Sequence, residues 1–154
     1  EAVISSPLCR CAAFARELSE QLNRPLAIDS GFSELSFGIW EGRAVAEVSA
    51  AEPATLACFW RDPVAHPIPQ GEPVADFDRR VGRAWEELLR GYQGRHVLLV
   101  AHGGVIRMIL RRLLEMPLHR IWRIEVPYAA LSRIRQHCDP QAEPHLVFHN
   151  GRLA

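Results

Sequence analysis

Lysine is absent from this sequence: all 18 basic residues are arginine, balanced by 18 carboxylates, so the formal net charge is zero. That balance removes the broad basic field expected of a nucleic-acid binder or an acidic-membrane binder. An arginine-only set suits planar recognition of phosphate or carboxylate, although a GC-rich genome accounts for the bias as simply. Cysteine is scarce too. Cys9, Cys11, Cys58 and Cys138 show no Cys-x-x-Cys spacing, which argues against a zinc site and leaves free thiols of a reducing compartment. No apolar run approaches bilayer length, and the N-terminus carries no basic region followed by an apolar core. The expectation is one cytoplasmic domain, residues 1–154, with a core of its own.

What is present alternates between strand and helix patterns. Ala2 to Ser6 is β-prone, and Pro7 follows where a helix can start, with Ser6 as a candidate cap. Leu8 to Leu22 is amphipathic, with Cys11, Ala15, Leu18 and Leu22 on one stripe. Leu26 to Ile28 reads as a short strand, and Gly31 to Gly42 as an irregular loop pinned by Phe32, Leu35, Phe37, Ile39 and Trp40. Ala44 to Arg61 reads as helix broken at Pro53, and the Pro-rich stretch from Asp62 to Pro73 as a surface connector. Val74 to Tyr92 predicts a long helix with Phe77, Val81, Trp85 and Leu88 inward and Arg79 and Arg80 in water. Two further strands are expected at Ala130 to Arg135 and Pro144 to His149. Strands separated by helices imply a mainly parallel sheet with helices on both faces, a three-layer α/β fold.

The stretch from Val97 to Arg107 organises the rest. Its apolar run predicts a strand buried on both faces, ending at His102 before Gly103, Gly104 and a helix. The helix start aims free N–H groups and a positive dipole end toward His102. A plain strand–turn–helix connection explains the same pattern equally well. Arg10 tips the balance: a cation in a first helical turn opposes the dipole unless an anion binds there. Arg10 and His102 follow two different strands, and parallel sheets hold ligands beyond those carboxyl ends. Glu34 stands among apolar residues, where desolvation raises a carboxyl pKa toward that of a general acid. The ordinary alternative for Glu34 is a helix cap or a partner for an arginine.

Four stretches in register carry a resemblance: Ser6-Pro7-Leu8-x-Arg10, Glu34-x-x-Phe37-Gly38-x-Trp40-Glu41-Gly42, Gly71-Glu72, and His102-Gly103-Gly104-x-Ile106-Arg107. Together they resemble the histidine phosphatase superfamily, the phosphoglycerate mutase-like proteins, most closely its alpha-ribazole phosphatase branch. The resemblance implies a phosphoglycerate mutase-like sheet lacking its first strand, because the Arg-His-Gly motif that bears the family's nucleophile does not occur here. It also implies that residues 43–73 form a lid. Cys11, Phe14 and Pro73 depart from the family's usual Ala, Thr and Ser.

By that resemblance Arg10 clamps phosphate, His102 donates to the phosphoryl oxygens with Gly103 N–H beside it, and Glu34 serves as acid and then base. The implied activity is a metal-independent phosphomonoester hydrolase working through phosphohistidine, with alpha-ribazole 5'-phosphate as a candidate substrate. The implied partner is a small phosphorylated metabolite, with no cofactor, no nucleic acid and no membrane; a homodimer is the default assembly. This chain by itself, without the nucleophile, is expected to be inactive. A non-catalytic phosphate-ligand binder and a phosphoglycerate mutase are the competing readings. A nucleotide-binding domain is disfavoured, since no Gly-x-Gly-x-x-Gly or P-loop pattern exists.

Overall fold

The computed structural model describes residues 1–137, 139 and 142–151; Cys138 lies outside them. Strand β1 (Ala2–Ser5) leads to helix α1 (Cys9–Leu22), strand β2 (Leu26–Ile28), helices α2 (Val45–Ala51) and α3 (Pro53–Arg61), and the long helix α4 (Val74–Gly91). Strand β3 (Val97–Val100), helix α5 (Gly103–Leu113), a 3-10 turn (Leu118–Arg123) and strands β4 (Leu131–Arg135) and β5 (His145–Gly151) follow. Strands β2, β1 and β3 form a parallel sheet in that order, while β4 and β5 pair antiparallel as a second sheet.

Local chemistry sets most boundaries. Helix α1 stops where Asn23 adopts the left-handed conformation, at φ 49°, a cap that asparagine tolerates. Pro53 opens α3 at a position where its missing N–H costs nothing. Ser6 is not the cap of α1. Leu8 holds that position, while the Ser6 hydroxyl accepts the Leu8 N–H and lies beside His102.

The doubly covered strand is β1 rather than β3. All four β1 residues are buried. Ile4 joins Phe77, Val81, Val105, Met108 and Ile109 in the main core, and alternation turns Val3 to the α1 side. Strand β3 is only half-buried throughout, because one edge lacks a neighbour among the described residues. A cleft of about 500 Å³ separates that edge from β4. Consecutive residues Val97, Leu98 and Leu99 line it, as does all of β4, so both strands meet the cleft by their edges rather than by one face. The carbonyls of His96 and Val100 bond to β1, which points the main-chain groups of Val97 and Leu99 the other way. Trp85 and Leu88, expected in the core, are half-buried and line the same cleft. Leu22 is exposed too, since α1 buries only Cys11, Ala12 and Ala15.

Helices α4 and α5 are locked by one carboxylate. Asp78 receives Arg111 at 2.9 Å and Arg112 at 3.1 and 2.9 Å, and Gly82 leaves the space that the Arg112 guanidinium fills. The region 43–73 joins the same core through Val48, Leu56, Phe59 and Ile68.

Candidate active site

Three elements deliver the sequence-predicted residues to one rim. His102 caps α5 immediately after β3, Arg10 lies in the first turn of α1 after β1, and Glu34 sits in the loop behind β2. Arg10 Nε donates to His102 Nδ1 at 3.1 Å. Because arginine can only donate, Nδ1 must be unprotonated and the ring proton resides on Nε2, 2.7 Å from Ser6 Oγ. Burial, then the neighbouring Arg10 charge, push the His102 pKa down to about 4. His102 is therefore a neutral donor at neutral pH, and its ring is 6 % exposed. Cys11 packs against both ring nitrogens at 3.6 Å, and burial pushes its thiol pKa up, away from reactivity.

Glu34 is held by backbone alone: Gly104 N–H donates to one carboxylate oxygen at 3.1 Å and Leu35 N–H to the other at 3.0 Å. Desolvation raises its pKa, against the lowering pull of those two bonds and of Arg10 and Arg107. The glycine that holds it is Gly104, one residue beyond Gly103. A Cβ at Gly104 would come within 2.2 Å of Glu34 Oε1, so the close approach requires glycine.

Sequence reasoning left four supports without a role. Arg107 stands one helical turn past Gly103; its Nε donates to Ile124 O at 2.9 Å, and its guanidinium lies 5.5 Å from the Trp122 ring centre. Ser6 orients His102. Glu72 and Arg80 clamp the Glu34 loop from below: Arg80 meets Glu72 in a two-point pair at 3.0 and 2.7 Å and donates to the Gly31 and Ser33 carbonyls. Arg80 is thus a half-buried strut and not the solvated charge that helical spacing predicts. Ser6, Glu72 and Arg107 were visible inside the motifs; Arg80 carried no sequence signal, because its partners lie on a distant loop.

The rim therefore combines an exposed arginine that forms no salt bridge among the described residues, a neutral histidine with a directed N–H, and a carboxyl tuned upward at a helix start. Such a set can bind a phosphoryl group, stabilise charge developing on it and move a proton. Among the described residues no group of three His, Cys, Asp or Glu side chains could hold a metal ion. No other histidine hydrogen-bonds to Arg10, His102 or Glu34 among them.

The profile of the histidine phosphatase superfamily (branch 1) matches residues 1–146. The chain belongs to that family. It is 33% identical over 152 residues to a bifunctional protein of Mycobacterium tuberculosis, covering 99% of this chain and 42% of that one; the chain thus spans less than half of that curated relative. The alpha-ribazole phosphatase of Shigella flexneri is 25% identical and superposes with a TM-score of 0.80 over 97% of this chain and 73% of that chain. A mycobacterial glucosyl-3-phosphoglycerate phosphatase, 24% identical, shares the fold with a TM-score of 0.80 over 94% of this chain and 74% of that one. The parallel sheet with its helices is the fold of these phosphatases. Among the described residues no helix is long and apolar enough to cross a membrane.

Proposed function

We propose that the protein is a phosphomonoester hydrolase whose transferred phosphoryl group rests on Arg10 and His102, with Glu34 as the proton-transfer group. One observation carries the reading: Arg10 and His102 in direct contact at 3.1 Å at the tips of adjacent parallel strands, with the tuned Glu34 on the same helix start. In the first step a histidine nitrogen attacks phosphorus and the ester oxygen leaves, taking the proton of neutral Glu34. In the second, ionised Glu34 takes a proton from water, whose oxygen attacks the phosphohistidine and frees phosphate. His102 donates its Nε2 proton to a phosphoryl oxygen in place of Ser6, and Gly103 N–H adds to the cradle. Donors fixed before the reaction supply this charge stabilisation with no metal in the scheme.

None of the seven histidines in these 154 residues lies in an Arg-His-Gly motif, and the attacking histidine of this proposal is none of them. We infer that it arrives on an extended segment outside them, seated between β3 and β4. The unpaired strand edges that line the cleft support that placement, since a buried edge needs main-chain partners. Residues 43–73 serve as the lid. Alpha-ribazole 5'-phosphate is the first substrate to try, on the strength of the likeness to the Shigella flexneri enzyme.

The test is phosphate release by the full-length protein from alpha-ribazole 5'-phosphate and a panel of small phosphate esters, with acid quench to trap phosphohistidine. Turnover that Arg10→Ala abolishes is the expected result. No release from any ester, with phosphate binding still sensitive to Arg10→Ala, would replace this reading with a non-catalytic binder.

A further inference from the structure

A second concavity, of about 700 Å³, opens between the C-terminal end of α3 and the 3-10 turn Leu118–Arg123. Arg61, Arg120 and Arg123 surround it with His66 and His119, and Asp62 is the single carboxylate in its lining. Asp62 is already engaged, accepting the N–H groups of Val64 and Ala65 at 3.1 Å each. Elsewhere in the described residues Arg43, Arg80, Arg111 and Arg112 each meet a carboxylate at 3.0 Å or less, the last two sharing Asp78. Among the described residues Arg61, Arg120 and Arg123 form no ion pair. Arg61 contacts Cys58 Sγ at 3.2 Å, and Arg120 donates to His119 at 2.8 Å.

Three guanidinium charges against the single Asp62 carboxylate leave the concavity with an excess of positive charge, and an anion from solution reduces the repulsion among them. Two tryptophan rings stand beside these arginines in the lining. Trp60 is 38 % exposed, and Trp122 meets it edge-on with ring centres 4.6 Å apart. The volume lies in the range of small-molecule sites, and the basic groups converge on one hollow rather than following a stripe as they do for nucleic acid.

We propose that this cleft binds a small polyanion, a metabolite bearing two or more phosphate or carboxylate groups, held by Arg61, Arg120 and Arg123 against Trp60. The site does not depend on the phosphoryl-transfer reading, although Trp122 separates it from Arg107 and so from the Glu34 side of the rim. Calorimetric and tryptophan-emission titrations of the full-length protein at low salt, with pyrophosphate and with citrate, decide the matter. Saturable one-to-one binding of either probe is expected, weakened at least tenfold in the Arg120→Ala/Arg123→Ala double variant and retained in Arg10→Ala. Trp60→Phe should diminish the emission change and leave the heat. Tighter binding of pyrophosphate than citrate assigns phosphate ligands, and the reverse assigns carboxylates. The proposal falls if neither probe binds, if the double variant with unchanged circular dichroism binds as well as the parent, or if Arg10→Ala abolishes binding.

Discussion

The two edges of β3 contrast, one paired with β1 and the other facing a cleft. Toward β1 the strand is fully paired, and its tip carries a rim in which His102 and Glu34 each hold fixed partners. Toward β4, Val97, Leu98 and Leu99 line a half-buried cleft along an edge that is unpaired among the described residues. On the proposed reading, the pairing side positions the chemistry in advance and the cleft side leaves room for the segment that completes it. A site can be preorganised on one wall while its other wall is supplied separately.

Breaking the finished wall should produce the largest effect. On the proposed mechanism, Glu34→Gln in the full-length protein keeps the size and loses the proton transfer, so kcat should fall by roughly 10²–10⁴, with KM changing far less; steady-state kinetics on a phosphate ester check it. A KM effect equal to the kcat effect would make Glu34 a binding residue only. Filling the open side comes next. The amides of Val97 and Leu99 should exchange with deuterium at least about 100-fold more slowly in the full-length protein than in the 154-residue chain, if a strand pairs there. Equal exchange would leave the cleft unoccupied and break the contrast.

Gly104→Ala probes how tightly the finished wall is packed. Its methyl would collide with Glu34 Oε1, so a loss of about 1–3 kcal/mol is expected from overpacking, read by urea denaturation, together with a shifted pH–rate profile. An unchanged midpoint would show that Glu34 can move freely. The last prediction concerns His102, whose folded pKa of about 4 lies below its ordinary 6.5. The unfolded chain then binds more protons between those values, so stability should rise as pH climbs from about 4 to 6.5 and be lost as pH falls back. Glu34, raised from its ordinary 4.5, acts in the opposite sense, so the comparison belongs in the Glu34→Gln background. There, His102→Gln should flatten the stability profile across that window.

Much of this was legible because it is local. The Pro53 break, the end of α1 at Asn23 and the turn at Gly103-Gly104 follow from backbone preferences that each short stretch carries with it. The apolar loop around Glu34 announced its raised pKa for the same reason. The β3 prediction failed on burial: an all-apolar run says that a strand wants cover on both faces, and only the set of neighbouring strands says whether it has it. Arg80 was misplaced because helical periodicity counts its angle on α4 and cannot see the Gly31 and Ser33 carbonyls above it.

The sequence by itself determined the types of residue at the rim and their order along the chain. Arg10 and His102 stood at element ends and Glu34 in an irregular loop, places where side chains are free to meet a ligand. Tertiary structure decided the rest: that Arg10 fixes the tautomer of His102, that Gly104 rather than Gly103 grips Glu34, that three arginines converge on an unshared hollow, and that β3 keeps one edge open. Those facts depend on groups up to 92 residues apart in sequence. Hydrogen bonds and charge act over a few ångströms of space, and only the folded chain sets those distances.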